Sequence, residues 1–489
     1  MYFTALAVDF DGTIAHDGRV DFETYEGLKR FKESGRRLLL VTGRKLPDLL
    51  ETFPEHKLFD RIVAENGALI YDPARKQERM IGDAPPQQFL AALRERRVEP
   101  LSIGKCIVAT WEPHETTVLG VIRDLGLYLQ IIFNKGAVMV LPPGVSKAAG
   151  LKAALDDLGL SPHNVVAVGD AENDLSFLDI CGCSAAVANA LPSVKQCVDL
   201  VLQEGRGAGV IELIHKIFAG EAKHASSHRR AIRLGVDRNN KDVWLNPDEG
   251  CVLISGSSGI GKSTLAKALT ERMAEKAFQF CVFDPEGDYL GLERAVSEGD
   301  VKSPPNRKEA LKLLRELHAN VVVNTLALAN DERPFFFAAL LPLISKLRAQ
   351  TGRPHWLFID EGHHLLPAKW ESLEQILPEQ IDATILITVH PDALNTKILR
   401  RVKTLVALGE SAGDVVATFC KAIGLAAPKA LPALGEDEVL VYSADGAARP
   451  VTPDRPSQAH QRHTRKYAEG ELGADRSFYF RGPGHTLNL

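Results

Sequence analysis

Short apolar runs alternate with helical patterns along almost the whole chain, and this alternation constrains the fold more than any other feature. It is typical of α/β proteins, in which helices connect the strands of a parallel sheet. Polar motifs follow several of the apolar runs directly, where open α/β sheets bind their ligands. We therefore predict two three-layer α/β domains on parallel sheets, with strands near 4–8, 38–41, 61–64, 165–168, 251–255, 279–284, 320–324, 356–360, 384–389 and 404–408.

Two stretches interrupt this alternation. Residues 73–141 suggest two helices and three short strands, which predicts a small α+β cap inserted into the first domain. Residues 203–225 combine glycines, a short helix and a polar run, which indicates a boundary. The predicted order is a first domain over 1–218, a linker over 219–227, a second domain over 228–447 and a tail over 448–489. Hairpins are predicted through Asn239-Asn240 and within 478–487.

The composition argues against several classes of protein. A chain of 489 residues with 45% hydrophobic and 25% charged residues can bury a core in each domain, and its net charge of -5 gives no overall attraction for nucleic acid or membranes. The longest apolar run, 335–344, is interrupted by Pro342 and is about half of a membrane span. The seven cysteines form no Cys-x-x-Cys pair, so we expect a cytoplasmic protein without disulfides.

The first polar motif, Asp9-Phe-Asp11-Gly12-Thr13, comes directly after the first predicted strand. Two carboxylates at positions i and i+2 of a strand end can share one metal ion while one of them attacks a substrate. Gly12 lets the chain turn sharply and approach a phosphate group closely. An ordinary Asx-type turn explains the motif equally well when it is taken alone.

Three further motifs follow at strand or helix edges. Thr42 ends the second strand and can hold phosphate, or it can simply cap a helix. Lys147 begins a helix, where a lysine is usually solvated. Asp170, Asn173 and Asp174 follow the strand at 165–168 and offer the oxygen ligands that Mg²⁺ prefers. All four motifs in this order predict a single site for phosphate and metal.

With these motifs, residues 1–218 resemble the haloacid dehalogenase superfamily, in particular its Cof-like branch, which has a cap between the second and third motifs. Glu65-Asn66-Gly67-Ala68 and Asn189-Ala190 add to the resemblance. It implies a core of the Rossmann type, and a substrate contact for Arg44. It also implies that Asp9 is the nucleophile, that Asp11 is the general acid and base, and that Thr42 and Lys147 clamp the phosphate. The implied Mg²⁺ ligands are Asp9, the Asp11 carbonyl and Asp170, supported by Asn173 and Asp174.

The second domain contains a P-loop motif directly after a predicted strand. The glycines let backbone N–H groups surround phosphates at the start of a helix. Lys262 is placed to reach the β- and γ-phosphates of ATP, and the Ser263 hydroxyl to bind Mg²⁺. The motif consists of Gly256, Gly259, Gly261, Lys262, Ser263 and Thr264, with three intervening residues.

A pair of carboxylates, Asp360 and Glu361, ends a later apolar strand. Asp360 suits the Mg²⁺ shell and Glu361 suits polarising an attacking water, although a solvated acidic turn is the alternative. Two strand patterns separate the P-loop from this pair. That favours a sheet with an extra strand between them, as in motor-type ATPases, over the sheet of simple kinases.

Residues 228–445 resemble the HerA/FtsK branch of P-loop ATPases, through the motifs at 283–289, 360–367 and 387–391. The resemblance implies that Thr388 or His390 senses the γ-phosphate. Arg400 and Arg401 can act as fingers into a neighbouring subunit of a homo-oligomer, or they are a surface pair. His363 and His364 fit a packed turn better than a metal site.

Two functional hypotheses remain open. The first is an Mg²⁺-dependent phosphatase for a small phosphorylated metabolite such as a sugar phosphate, with an ATPase domain that regulates it or acts as a nucleotide-dependent switch. A cap generally selects small substrates. The second is an enzyme of nucleic acid, either a polynucleotide kinase-phosphatase or a DNA-linked ATPase. The basic residues at 223–241 and 462–466 favour solvated linker charges over a DNA track.

Overall fold

The computed structural model describes residues 2–134, 136–370 and 381–457, together with the backbone of 480–481 and 487–488. The chain divides into two compact units, Met1–Pro456 and Ser457–Leu489. In the second unit, 480–481 pair antiparallel with 487–488, as the predicted terminal hairpin requires. The basic residues at 462–466 lie outside the described residues.

The first part of the chain forms two sheets. Its strands are β1 (Ala5–Val8), β2 (Arg37–Val41), β3 (Arg61–Ala64), β4 (Leu69–Asp72), β5 (Gln77–Met80), β6 (Ser102–Ile103), β7 (Val108–Trp111), β8 (Gln130–Asn134), β9 (Ala137–Leu141), β10 (Val165–Gly169), β11 (Cys183–Ala186) and β12 (Leu200–Val201). Its helices are α1 (Phe22–Glu33), α2 (Leu46–Thr52), α3 (Gln87–Glu95), α4 (Glu115–Asp124), α5 (Lys147–Leu158), α6 (Leu175–Ile180), α7 (Pro192–Lys195) and α8 (Arg206–Ala219).

The larger of these sheets has the order β12-β11-β10-β1-β2-β3-β4-β5. Neighbours from β12 to β3 are parallel, and all residues of β1 and β10 are buried, as expected where helices cover both faces. The sheet is not purely parallel, because β4 and β5 add an antiparallel edge. The carboxyl ends of β10, β1, β2 and β3 lie side by side, so the polar residues that follow them meet.

The smaller sheet forms the cap. It has the antiparallel order β6-β7-β9-β8, and a cluster of buried side chains from α3, α4, β7 and β9 forms its core. The predicted insertion began at residue 73. In the structure 77–80 instead pair with β4 in the larger sheet, so the cap sheet begins later in the chain.

The remaining elements build the second domain. Its strands are β13 (Ile232–Asp237), β14 (Asp242–Leu245), β15 (Cys251–Ser255), β16 (Phe280–Asp284), β17 (Ala295–Glu298), β18 (Asn320–Asn324), β19 (Trp356–Ile359), β20 (Thr384–Thr388), β21 (Val402–Leu408), β22 (Val439–Ser443) and β23 (Ala448–Pro453). Its helices are α9 (Glu221–Ala225), α10 (Ser227–Arg230), α11 (Lys262–Glu275), α12 (Arg307–Arg315), α13 (Glu332–Thr351), α14 (Thr396–Leu399) and α15 (Ala412–Ile423).

The second sheet has the order β14-β13-β23-β22-β21-β15-β20-β19-β16-β18-β17. A strand does lie between the P-loop strand β15 and the acidic strand β19. It is β20, which follows β19 in the chain and so is not one of the two patterns that precede it. The predicted tail began at residue 448, but β23 lies inside this sheet between β13 and β22. The predicted linker is also packed, because Ala222 and Ser226 are fully buried.

The run 335–344 lies within α13, which has 20 residues. Among the described helices, neither α13 nor any other combines the length and the apolar character needed to cross a bilayer.

Candidate functional sites

The first site is built around the ammonium group of Lys147. Its Nζ lies 2.7 Å from Oδ1 of Asp9 and 2.5 Å from Oδ1 of Asp174, and all three side chains are buried. Asp9 follows the central strand β1, whereas Lys147 begins α5 and Asp174 follows β10. Three segments far apart in the sequence therefore place one positive and two negative charges in contact.

The buried setting shifts the proton affinities of this cluster. Burial, and then the charge of Asp174, raise the pKa of Asp9 to about 8, although Lys147 acts in the opposite direction. Burial lowers the pKa of Lys147, but Asp174 and Asp9 together raise it further and hold it above its ordinary value. The ammonium group therefore stays charged, and Asp9 depends on nearby positive charge to remain a carboxylate.

Asp170 completes a group of carboxylates that can hold a metal ion. Oxygens of Asp9, Asp170 and Asp174 lie within 4.8 Å of one another. The backbone at Gly12 passes so close to Asp170 that a Cβ there would lie 2.3 Å from Oδ2, and its φ is +86°. Three buried carboxylates beside a glycine turn provide the oxygen donors that suit Mg²⁺.

Asp174 supports its neighbours with both oxygens. Its Oδ2 accepts the backbone N–H groups of Asp170 and Ala171 at 2.9 and 3.0 Å, while its Oδ1 faces Lys147. Asp174 is thus a brace between Lys147 and the chain that carries Asp170.

Thr42 and Asn173 meet at the turn after β3. Thr42 is buried, and its carbonyl accepts the N–H of Asn66 at 3.1 Å. The Asn173 amide donates to Oδ1 of Asn66 at 3.2 Å. The described side-chain contact of Asn173 is therefore with this turn.

Asp11 is held at the edge of the site by Arg44. Nε and Nη2 of Arg44 lie 2.7 and 2.6 Å from the two carboxylate oxygens, and the Asp11 side chain is about half exposed. These hydrogen bonds raise the pKa of Arg44. The predicted general acid and base thus faces a cation at the opening of the site.

The second site begins at the P-loop between β15 and α11. Gly259 and Gly261 have φ angles of +80° and +111°, which a side chain would disfavour. Lys262 is buried, and its ammonium donates to the carbonyls of Gly256 and Ser257 at 3.1 and 3.0 Å. Thr264 is exposed on the first turn of α11. The loop thus has the strand–loop–helix setting of a phosphate cradle.

Four acidic residues, Asp284, Asp288, Asp360 and Glu361, lie close enough to interact electrostatically, and Asp288 contacts the start of α11. The Ser263 hydroxyl donates to Oδ2 of Asp288 at 2.9 Å, a partner that was not among the predicted site residues. Burial raises the pKa of Asp284 to about 6, against the lowering effect of backbone N–H groups. Burial, and then the charges of Asp284 and Glu361, raise the pKa of Asp360 well above its ordinary value. A divalent cation would relieve this accumulation of negative charge.

His363 joins the acidic pair to the predicted sensor. Its Nδ1 lies 3.5 Å from Oε2 of Glu361 and 3.1 Å from the Thr388 hydroxyl. Burial, and then the neighbouring His364 and His390, lower its pKa to about 4. The His390 N–H donates to the Thr388 hydroxyl, while its side chain is exposed. Of the two predicted sensors, Thr388 thus shares the neighbour His363 with Glu361 through direct contacts.

Most of the basic residues at 223–241 are paired. Five of them form ion pairs with carboxylates: Lys223 with Asp248 and Asp382, Arg229 with Asp199, Arg230 with Asp248, Arg233 with Asp242 and Asp454, and Arg238 with Glu438. Arg230 is buried, whereas Arg238 is about half exposed, and the ion pairs argue against a free basic track. Arg400 is exposed and Arg401 half-buried in the turn before β21.

Two family models match the chain. The model for haloacid dehalogenase-like hydrolases matches 6–99 and 123–214, and the model for the AAA ATPase domain matches 245–389. The gap in the first match, 100–122, falls inside the cap.

The similar proteins include several archaeal phosphoglycolate phosphatases. That of Methanothermobacter thermautotrophicus is 29% identical over 221 residues, which are 43% of this chain and 97% of that protein. That of Halorubrum lacusprofundi is 30% identical over 210 residues, which are 41% of this chain and 90% of that protein. Among solved structures, a haloacid dehalogenase-like hydrolase from Bacteroides thetaiotaomicron is 20% identical with a TM-score of 0.39, covering 44% of this chain and all of its own.

Proposed function

We propose, since the chain belongs to the haloacid dehalogenase-like hydrolase family, that residues 1–218 form an Mg²⁺-dependent phosphatase that works through an aspartyl-phosphate on Asp9. The observation that carries this proposal is the buried contact of Lys147 with both Asp9 and Asp174, inside a cluster of carboxylates. It combines a nucleophile, a cation for phosphate oxygens and donors for a metal in one place.

The residues divide the reaction between them. Asp9 attacks phosphorus, and its new bond to phosphorus forms as the bond to the leaving oxygen breaks. Asp11 protonates that oxygen and then removes a proton from the water that hydrolyses the aspartyl-phosphate. Lys147 and the Thr42 hydroxyl hold the phosphate oxygens. Asp9, Asp170 and the Asp11 carbonyl would hold Mg²⁺, which would supply positive charge to offset that of the nucleophile and the phosphate.

We propose 2-phosphoglycolate as the substrate, with a small sugar phosphate as the alternative. The similar archaeal proteins are phosphoglycolate phosphatases. Arg44 supports the choice, because it already binds a carboxylate, that of Asp11, at the edge of the site. A guanidinium group binds carboxylates with two parallel hydrogen bonds. A panel of phosphorylated metabolites with Mg²⁺ distinguishes the two substrates.

The test of the phosphatase uses one variant in each site. Asp9→Asn removes the nucleophile with little change in size, so phosphate release should disappear while ATP hydrolysis persists. Lys262→Ala should remove ATP hydrolysis and leave the Asp9 chemistry intact. Phosphatase turnover that survives Asp9→Asn would show that another group is the nucleophile.

For residues 228–447 we propose ATP hydrolysis by a domain of the HerA/FtsK branch. Lys262 would bind the β- and γ-phosphates, Ser263 and Asp360 the Mg²⁺, Glu361 the attacking water, and Thr388 or His390 would sense the γ-phosphate. The strand β20 between β15 and β19 supports this assignment. If the domain forms a homo-oligomer, as this branch implies, Arg400 and Arg401 would contact the nucleotide site of a neighbouring subunit. ATPase rates with and without duplex DNA test a nucleic-acid partner, and the ion-paired residues at 223–241 favour no stimulation.

We also propose that the ATPase domain regulates the phosphatase through a polar junction centred on Asn164. The N–H of Gln279 donates to Nδ1 of His355 at 2.8 Å, so Nε2 carries the proton and donates to Oδ1 of Asn164 at 3.1 Å. The Asn164 amide donates to the carbonyls of Tyr2 and Gly352 at 3.0 and 3.5 Å. A fully buried amide is thus shared between the domains.

Two strands run from this junction to the two candidate sites. Asn164 precedes β10, which ends beside Asp170, and His355 precedes β19, which ends beside Asp360. The buried Arg353 donates to the carbonyl of Gly159, which caps the helix that begins with Lys147. A shift of β19 on ATP binding would therefore reach both Lys147 and Asp170.

The regulation is tested by linkage. If a non-hydrolysable ATP analogue changes the affinity for a phosphate analogue by some factor, the phosphate analogue must change ATP affinity by the same factor. Arg353→Lys keeps the charge but cannot make the same forked contacts, so the coupling should disappear in it. His318→Ala removes an exposed contact to Asp156 between the same domains and is the control. Equal affinities with and without the other ligand in the natural chain would overturn the regulatory proposal.

The seven free cysteines, six of them buried, fit the proposed cytoplasmic location.

A further inference from the structure

Glu65 is a buried carboxylate with no part in the proposed reaction. It follows β3, is fully buried and has a φ of +53°, as its neighbour Asn66 has one of +54°. Two consecutive non-glycine residues in the left-handed region cost free energy, and such strain persists only where the surroundings enforce it. The surroundings here are the hydrogen bonds of the Glu65 and Asn66 backbone and those of the Glu65 carboxylate.

The Glu65 carboxylate is bound by the cap. Its two oxygens accept the backbone N–H groups of Lys105, Cys106 and Ile107 at 3.0, 2.8 and 3.2 Å. These residues belong to the turn between β6 and β7, which the N–H of Gly104 closes by donating to the carbonyl of Ile107. The contact excludes any side chain at Gly104, since a Cβ there would lie 2.7 Å from Oε2 of Glu65. One core carboxylate thus holds the tip of a cap hairpin.

The same turn of the core is bound to the phosphate site. The N–H of Glu65 donates to the carbonyl of Arg44 at 3.0 Å, and the N–H of Asn66 to that of Thr42 at 3.1 Å. Gly67 packs against the start of α5, where a Cβ would lie 1.9 Å from the Ser146 carbonyl. Residues 65–67 therefore link the cap hairpin to the backbone of Thr42 and Arg44 and to the start of α5 at Lys147.

Other contacts agree with a cap that is seated on the core. The Asn66 amide lies 2.7 Å from the sulfur of Met139 in the cap, and the β8 strand lies against the turn at 172–174. Ala68, Cys106, Ile107, Leu141 and Val145 form a small apolar cluster at the same contact. These contacts are apolar or single, whereas Glu65 makes three charge-assisted hydrogen bonds, which are about twice as strong as neutral ones.

We propose that Glu65 is a positioning residue that fixes the cap turn at 104–107 over the phosphate site, so that this turn selects the leaving group of the substrate. The proposal rests on the proposed phosphatase function. It assigns Glu65 no contact with the substrate, and it predicts that substrates which need the seated cap depend on Glu65, whereas a substrate with a good leaving group does not.

The test compares Glu65→Gln in the full chain with the natural protein. Gln keeps the size but replaces one acceptor by an amide donor that faces backbone N–H groups. For 2-phosphoglycolate, kcat/KM should fall by about tenfold or more, which corresponds to the loss of charge-assisted hydrogen bonds. For p-nitrophenyl phosphate, whose leaving group needs little help, kcat should stay within about threefold. Hydrogen exchange at the amides of 105–107 should become faster.

Two further variants keep the test decisive. Gly104→Ala attacks the same contact from the cap side and should reproduce both the selective loss and the faster exchange, even if Glu65→Gln folds poorly. Glu78→Gln is the matched control, because Glu78 pairs with the side chain of Lys105 in the same turn without touching its backbone. It should behave as the natural protein does.

An equal loss on both substrates, or unchanged exchange at 105–107, would overturn the proposal. Failure of the phosphatase function itself is distinguishable, because the natural protein would then release no phosphate although the exchange at 105–107 still depended on Glu65.

Discussion

At the scale of single residues, the first site depends on charge balance. Lys147 is the one ammonium group that the described contacts place between Asp9 and Asp174, and burial makes each of these charges costly without the others. Removing one partner of a buried pair leaves an uncompensated charge, and the cost is about 3–5 kcal/mol. Lys147 therefore stabilises the buried carboxylates, in addition to its proposed role in holding the phosphate.

Lys147→Met should separate these two roles. We expect phosphatase kcat/KM to fall by about 10²-fold or more, as when a positioned donor to a developing negative charge is removed. Without metal, the free energy of unfolding should fall by about 3–5 kcal/mol, and Mg²⁺ should restore part of it by replacing the lost positive charge. Phosphate release and denaturant unfolding, each with Mg²⁺ and with EDTA, measure both.

Lys152→Met is the control for Lys147→Met, since Lys152 is exposed on the same helix α5. It should change neither property. An Mg²⁺-independent stability loss in Lys147→Met would contradict a metal site beside the ammonium group.

Arg44→Ala tests substrate recognition at the edge of the same site. Arg44 binds Asp11 with two hydrogen bonds, so its removal frees Asp11 and takes away the cation proposed for the substrate carboxylate. KM for 2-phosphoglycolate should rise by about tenfold or more, the effect of losing one charge-assisted contact. With p-nitrophenyl phosphate, which has no carboxylate, KM should hardly change. A parallel rise for both substrates would assign Arg44 to the phosphate.

At the scale of elements, the junction between the domains depends on how α13 ends. Gly352 caps this helix with a φ of +73°, and a Cβ there would lie 2.1 Å from Nδ2 of Asn164. Gly424 caps α15 with a φ of +81° and open space around it. Both glycines cap a helix with a left-handed backbone, but Gly352 is buried against Asn164 whereas Gly424 is exposed.

Gly424→Ala should therefore lose about 1 kcal/mol of the free energy of unfolding, for the left-handed backbone alone. Gly352→Ala should lose about 1–3 kcal/mol more, because it overpacks the buried amide of Asn164. The midpoints of denaturant unfolding give the comparison. Equal losses in both variants would mean that Asn164 and its neighbours rearrange around the added methyl group without a further loss of unfolding free energy.

The strand β23 is the second element that can be tested directly. It lies between β13 and β22, and a Cβ at Gly235 would lie 2.0 Å from the Thr452 carbonyl. A chain that ends at Pro456 keeps this pairing, whereas one that ends at residue 447 exposes two strand edges, which favours aggregation. The chain that ends at Pro456 should melt as the full chain does, and the chain that ends at residue 447 should melt at a lower temperature. Identical melting of the two would show that β23 adds nothing to the sheet.

At the scale of the whole molecule, the junction should make stability depend on pH. Burial lowers the pKa of His163 to about 4 and that of His355 well below its ordinary value of 6.5. Between pH 4 and pH 6.5, these two histidines are protonated in the unfolded chain but remain neutral in the folded chain. Stability is therefore fully present above pH 6.5 and falls as the pH drops toward 4, by up to about 1.4 kcal/mol per pH unit for each group.

His163 offers the cleaner variant, because it stacks on Phe278 with ring centroids 4.0 Å apart and donates to the carbonyl of Lys276 at 2.7 Å. His163→Gln keeps a donor but cannot be protonated, so its unfolding free energy should fall less steeply with acid than that of the natural protein. Unfolding in denaturant at several pH values between 4 and 7 measures the slope. A steeper slope in the variant would mean that protonation of His163 stabilises the folded chain, opposite to the expected sign.

The sequence by itself determined the strands that carry the two sites and the polar residues that follow them, but not the strands β4, β5, β11, β12, β17, β22 and β23. Apolar periodicity, glycine turns and polar strand ends are local properties, so the strands that carry Asp9, Thr42, Asp170, the P-loop and Asp360 are present where they were predicted. Local patterns also predicted the hairpin of β13 and β14.

Only the tertiary structure decided which distant partners these elements take. It placed β20 between β15 and β19, put β23 inside the second sheet, and paired Asp11 with a residue 33 positions away. It also joined the domains through Asn164 and seated the cap on Glu65. Such pairings form only after the chain has closed long loops, so local periodicity does not predict them.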